Sequence, residues 1–354
     1  MKKYKLIILF LFMGNYLFGQ TSKSIGEATS QFISTLSQEE IELVSFDFED
    51  SLRTKWTNLP IGLQKRHGIR YGHLSENSKI AFHHLLTTLF SSQGYLKTTS
   101  IMVLDDVLNE VYKEAYERKL IPDEVYQEIR ALNWDYGNYF IAIWGEPNLQ
   151  DPWGLKFEGH HISINLSIVG GEVSLTPLFL GTDPAEVTIS KYSGLRVLSK
   201  EEDYGLLFIN SLNEEQKQIA TLSQEVPGDI ITNPSNNQRI TEYQGIKASK
   251  LTTEQKDILM MLIKEYINNL EHAKSHKYLS KIEESGIDEI YFAWIGSYKI
   301  REPNYYIING PDFIIEYDNV GFNNDGNHIH SIWREKGNDF GEDILKAHYL
   351  QHKH

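Results

Sequence analysis

The run Phe157-Glu158-Gly159-His160-His161-Ile162-Ser163-Ile164-Asn165-Leu166-Ser167-Ile168 decides the fold class. Apolar residues alternate with polar ones at Ile162, Ile164, Leu166 and Ile168, the period of a half-buried strand. Taken as one strand, the run puts His161, Ser163, Asn165 and Ser167 on its polar face and leaves Glu158 and His160 at the end of the apolar one. Gly170-Gly171 then forms the two-residue turn of a hairpin between Ile168 and Val173. A second run, Asn327-His328-Ile329-His330-Ser331-Ile332-Trp333-Arg334, places His328, His330, Ile332 and Arg334 on one strand face. Two imidazoles on one strand and a third from a neighbour make a geometry that metals accept.

Outward from these runs the periodicity changes. Tyr139, Ile141 and Ile143 form a run apolar on both sides, a buried strand ending at Gly145 and Pro147. Before it, residues 22–129 read as helical, with three-and-four spacing in Ile80, Leu85, Leu86, Leu89 and Phe90, and in Val103, Leu104, Val107, Leu108, Val111 and Tyr112. After the hairpin, residues 204–222 and 251–270 are predicted helices. Their starts resemble each other, Leu212-Asn213-Glu214-Glu215-Gln216-Lys217 beside Leu251-Thr252-Thr253-Glu254-Gln255-Lys256, a likeness explained by shared capping chemistry rather than by a repeat. Between them, residues 227–246 are rich in Gly, Pro, Asn and Gln and predict a long loop, a candidate lid. Four strands follow, at 289–295, 305–308, 313–317 and 328–333, joined by turns short enough for an antiparallel meander. A helix opens after Asp339 and closes the chain.

The expected fold is therefore α+β: an N-terminal helical layer packed on a mainly antiparallel sheet. One domain spans 21–354, helical to about 135 and mixed β/α from about 136.

The formal charge of −14 disfavours nucleic acid and anionic membrane surfaces as partners, leaving small-molecule or peptide substrates. The chain has no cysteine, so any transition metal must be held by His and carboxylate. Lys2, Lys3 and Lys5, then the apolar run from Leu6 to Met13, then Gly19 and Gln20, have the order of an export signal over residues 1–20. The apolar run is too short to span a bilayer. The expectation is a periplasmic or secreted protein with no stable membrane anchor after cleavage.

The motifs Phe157-Glu158-Gly159-His160-His161, Phe179-Leu180-Gly181, Phe292-Ala293-Trp294, Glu316-Tyr317-Asp318-Asn319, Asn327 to Arg334 and Asn338-Asp339-Phe340-Gly341 together resemble a bacterial family, the domain of unknown function 3500. The likeness runs from the Arg53 to Trp56 region to His348-Tyr349. It implies one integrated, often exported domain and supplies no reaction. Glu335 stands where the family pattern leads one to expect aspartate, with its acidic character kept.

The candidate metal ligands are His161, His328 and His330, with His160 as the alternate if the strand register is reversed. Glu158, Glu316 and Asp318 are candidate ligands, partners orienting an imidazole, or the general base. Arg334 is a candidate fork for a substrate carboxylate or phosphate. Asn165, Asp339 and His348 are candidates for completing the cleft. A divalent transition metal, zinc before copper or iron, would suit these nitrogen and oxygen donors, with hydrolysis as the leading chemistry. The rivals are copper or iron redox chemistry and non-catalytic binding of an anionic ligand. The remaining histidines read as packed or solvated: His83 and His84 are adjacent on a helix and diverge, His67 and His73 lie in a loop, and His272 and His276 share a charged face.

Overall fold

The computed structural model describes residues 21–148, 150–235, 239–321 and 324–351. The predicted export signal, residues 1–20, lies outside the described residues.

Two tight turns set the register of the first hairpins. Gly170-Gly171 turns the strand Ile162–Val169 back into Glu172–Ser174, with Ile168 opposite Val173 as the sequence predicts. The run 157–168 is not one strand, however. His160-His161 forms a second two-residue turn between Trp153–Gly159 and Ile162–Val169, pairing Glu158 with Ser163 and Gly159 with Ile162. His161 adopts φ 62, a left-handed conformation that such a turn demands and that costs a non-glycine residue about 1–2 kcal/mol. Folding the run back on itself moves Glu158 to the same sheet face as Ser163, not to the apolar end assigned by unbroken alternation.

The sheet runs in the order 45–46, 140–144, 153–159, 162–169, 178–182, 329–335, 313–318, 304–309, 291–296, 221–223. The predicted C-terminal meander is present, antiparallel throughout. The sheet is nevertheless mixed, because its outermost strands, Ser45–Phe46 and Thr221–Ser223, run parallel to their neighbours.

This order reads the same from either end. The strand starts Phe140, Trp153, Ile162 and Leu178 recur as Tyr291, Asn304, Phe313 and Ile329, each shifted by 151 residues. The outer elements match too. A capping box at Ser37 starts the helix leading into Ser45–Phe46, and one at Asn213 starts the helix leading into Thr221–Ser223. Ile69–Arg70 and Ile246–Lys247 then each pair antiparallel with the next strand inward. Two such halves meet about a pseudo-twofold axis where Leu180 pairs with Ser331, and again where Phe90 bridges Leu270. The chain is thus built as two structurally repeated halves. The likeness between residues 212–217 and 251–256 reflects capping, as expected, but the repeat itself pairs Ser37 with Asn213 and Ser75 with Thr252.

The repeat also corrects the layer assignment. The helices covering the sheet come from both halves: Glu76–Leu89 and Ser92–Glu117 from the first, Thr253–Ile267 and His272–Ser285 from the second. The predicted helix 204–222 is two, Ser199–Ser211 and Glu214–Ala220, divided at the Asn213 cap. Against this layer the sheet turns Leu155, Phe157, Ile164, Tyr306, Ile315 and Trp333, with Phe82 and Phe157 4.9 Å apart between ring centres. Burying a side chain of this size contributes about 1.5–3 kcal/mol. None of the described helices is long and apolar enough to cross a membrane.

The other sheet face carries Lys156, Glu158, Asn165, Glu316, Asp318, His330 and Arg334, yet all are buried. Its cover consists of two excursions, residues 47–68 and 224–245, which occupy equivalent places in the two halves. The second contains the loop predicted at 227–246. It is anchored rather than loose, since Ile230 and Ile231 join Phe179, Ile307 and Ile332 in a small apolar cluster.

Candidate metal centre

The pseudo-twofold axis brings the two histidine motifs together. His161 stands on the turn between two strands of the first half, its N–H donating to the Asn58 carbonyl and its carbonyl accepting from Gly181 N–H at 2.8 Å. Gly181 pairs with His330 across the junction of the halves. It must lack a side chain, since a Cβ there would lie 2.7 Å from the Ile329 carbonyl oxygen and 2.9 Å from the His161 ring. His328 and His330 flank Ile329 and project to the same face.

The result is three imidazoles aimed at one point. His161 Nε2 lies 2.8 Å from His328 Nε2, which lies 3.1 Å from His330 Nε2, and all three rings are buried. Nitrogens bound tetrahedrally at about 2.0–2.1 Å would stand about 3.3 Å apart, a few tenths of an ångström more than these two separations, and the three ligand atoms all lie within 4.8 Å of one another. The far sides of His328 and His330 meet carboxylates. His330 Nδ1 is 2.8 Å from Asp229 Oδ1 and 3.7 Å from Asp318 Oδ2, and His328 Nδ1 is 3.6 Å from Asp183 Oδ2. A carboxylate at Nδ1 keeps the proton there and leaves Nε2 as a lone pair, the arrangement that orients metal-binding histidines.

Electrostatics points the same way. Burial, followed by the neighbouring imidazoles, pushes His161 and His328 well below the ordinary histidine range, so both are neutral. Burial also acts against charge on His330, but Asp318, Asp229 and Asp183 outweigh it and raise its pKa. Burial lifts Asp183 to about 6 and Asp318 to about 7. Asp318 Oδ2 is buried with no hydrogen-bond partner. The pocket holds two neutral imidazoles, His161 and His328, beside carboxylates whose charged form burial disfavours, and a bound cation would stabilise that charged form. Asp229, Asp318 and His330 Nδ1 also lie close enough to hold an ion, but the 2.8 Å contact of Asp229 fits a carboxylate that orients His330.

His160 is not in this group. Its Nδ1 sits 2.7 Å from Asp105 Oδ1, and Tyr139 donates to Asp105 Oδ2 at 3.0 Å. Its ring lies against His161 at 3.8 Å between centres and stacks on Trp134 on the other side. It acts as a wall behind His161.

Glu316 is held away from the centre. Ile231 N–H, Thr232 Oγ1 and the Tyr305 hydroxyl all donate to it, so it pins the second excursion to the sheet. Arg334 has little of its fork left for a substrate: Nε and Nη2 donate to Thr232, and Nη1 to Asp339. Asn165 donates to Ser163 and to the Pro177 carbonyl. His348 lies beside the Gly170 turn, at the opposite end of the 162–169 strand from His161. Glu158 accepts from Thr57 N–H and is raised in pKa by burial, while lining a cleft.

That cleft, of about 610 Å³, opens between the two excursions; His161, His328 and His330 do not line it, and it comes nearest the centre at Asn58 and Asp229, which contact His161 and His330. Sequence reading misses Asp105, Asp183 and Asp229. Asp105 carries a signal, being an acid four residues after Ile101 on the buried face of its helix. Asp183 and Asp229 lie in irregular segments and carry none.

The family model described as "Protein of unknown function (DUF3500)" matches residues 18–342, with both histidine motifs inside the match. The chain belongs to this family. Searches of curated proteins and of solved structures find no match to this DUF3500 chain.

Proposed function

We propose that this DUF3500 protein is an exported metal-dependent hydrolase whose metal is held by His161, His328 and His330. The observation that carries the reading is the convergence of three Nε2 atoms, with the His330 ring backed by Asp229 and Asp318 and the His328 ring by Asp183. Three nitrogen ligands leave one position open in a tetrahedral site, as in catalytic zinc centres rather than structural ones. Zinc bound there would supply Lewis acidity and lower the pKa of a coordinated water to about 7.

The chain's own groups complete the chemistry. Asp229 Oδ1 serves His330 and the Ile230 N–H, while Oδ2 makes no hydrogen bond among the described residues and Asp229 lines the cleft. It is the carboxylate placed to hold a proton between the centre and a substrate. Asp318 is wholly buried and Glu316 is saturated with donors, so neither is placed for proton transfer to the cleft. The His160 ring packs against the His161 ring, and the Asn58 carbonyl holds the backbone of the turn that carries it by accepting from His161 N–H.

The test is hydrolysis of a panel of ester, amide and phosphoester substrates by untagged protein, before and after chelation and with zinc restored. Turnover lost on chelation, regained with zinc and abolished in His161→Ala supports the reading. Turnover indifferent to chelation, or a visible spectrum of bound copper or iron with redox rather than hydrolytic turnover, overturns it.

A further inference from the structure

The cleft above the centre has a charge opposite to that of the chain as a whole. We propose that it selects an anionic small molecule, one bearing a carboxylate or a phosphate ester, as the ligand presented to the metal; this rests on the hydrolase reading above. The chain carries a formal −14, yet the cleft is lined by Lys55, Lys65, Lys156, Arg239 and Arg334, with His67, against the carboxylates Glu158 and Asp229 alone among the described residues. Cations gathered in a concave, partly desolvated site focus the field on whatever enters it. The carboxylates are already committed: Glu158 sits beside Lys156 and Arg66, and Asp229 serves His330. Arg334 is likewise paired with Asp339 and Lys156 faces Glu158, so the positive charge the cleft offers a ligand comes from Lys55 and Lys65, with Arg239 on the opposite rim.

The two walls differ in role. Lys156 lies on the floor, where its ammonium donates to the Leu52 and Lys55 carbonyls, so its charge is fixed in place and shielded from water. Lys65 and Arg239 lie exposed on the rims, one on each excursion. Because the excursions are related by the structural repeat, a ligand lying between them is held by both halves, across the axis that also assembles the three histidines. Trp56, half-buried in the cleft lining, offers a flat apolar surface to the ligand's uncharged part.

Matched probes on one scaffold test this: glucose, glucuronate and glucose 6-phosphate, titrated calorimetrically into the untagged full chain at low and at physiological salt. The expected result is that at least one anionic probe binds tenfold or more tighter than glucose, with the preference shrinking as salt rises. In a Lys65→Gln, Arg239→Gln double variant, altered only at exposed rim positions, the preference falls below threefold while metal content stays the same. The proposal is overturned if neither anion is preferred over glucose, or if the double variant keeps the full preference. Metal analysis of the same samples separates the two readings. Anion preference in a metal-free chain upholds the cleft and sinks the hydrolase, whereas bound metal without anion preference sinks the cleft alone.

Discussion

His161 and His328 are 167 residues apart in the chain, and their Nε2 atoms are 2.8 Å apart in the fold. No local preference produces that contact. It follows from two halves closing edge to edge, so that the hairpin turn of one meets the last strand of the other. Changes at this junction, away from the imidazoles themselves, should therefore disturb the centre.

Gly181→Ala is the sharpest such change. The added methyl meets the Ile329 carbonyl oxygen and the His161 ring at once. Overpacking of this kind costs about 1–3 kcal/mol. A urea titration should show that loss, and metal affinity should fall with it because His161 is displaced. Parent-like stability together with parent-like affinity would show that the ring has room to spare.

Asp229→Asn keeps the shape of the side chain but removes the carboxylate that faces His330 Nδ1. Loss of such an orienting carboxylate typically weakens metal affinity 10- to 100-fold. Competition against a chromophoric chelator should report a drop of that order, with circular dichroism unchanged. An unaltered affinity would reduce Asp229 to a bystander.

Much of the sheet is legible in the sequence because alternation, turn glycines and short connections act locally. The Gly170-Gly171 hairpin and the C-terminal meander follow from these. The break at His160-His161 does not, since apolar alternation continues on both sides of a turn that carries no glycine or asparagine. Nor does the burial of the polar face: Ser163, Asn165 and Ser167 resemble solvent-facing residues until the excursions and Phe340 are laid over them. The three converging histidines are readable from their spacing. Of the carboxylates behind them Asp318 is named from the sequence, but Asp183 and Asp229 are not, because they reach the site through segments whose path only the tertiary fold determines. The repeat is hidden because its strands keep their spacing but not their residues: His161, one position before Ile162, corresponds to Asp312, one position before Phe313.

Metal should also be visible in stability. A ligand that binds only the folded chain stabilises it by about 2.7 kcal/mol at a free concentration one hundred times Kd. Chelated protein should melt lower than untreated protein and recover when zinc is restored, and His328→Ala should melt at one temperature in either condition. Chelation without effect on the parent would contradict this.

Lys156 gives a pH signature independent of the histidines. Burial lowers its pKa from the ordinary lysine value of 10.5 to about 8. Between those values the unfolded chain holds a proton that the folded chain has released, so this residue makes stability rise with pH across that window; below about 8 it contributes a constant penalty. Subtracting the unfolding free energies of Lys156→Met from those of the parent should leave a rise from about pH 8 to 10.5. A flat difference would place the ammonium in water.

The most direct measurement is the metal content of the full chain purified without a histidine tag, by elemental analysis, beside His161→Ala, His328→Ala and His330→Ala. One divalent transition ion per parent chain, lost from each variant while the fold persists, is the expected result. A parent that arrives metal-free and takes up no zinc at micromolar concentration, or single variants that keep a full complement, would show that the three imidazoles meet for packing alone.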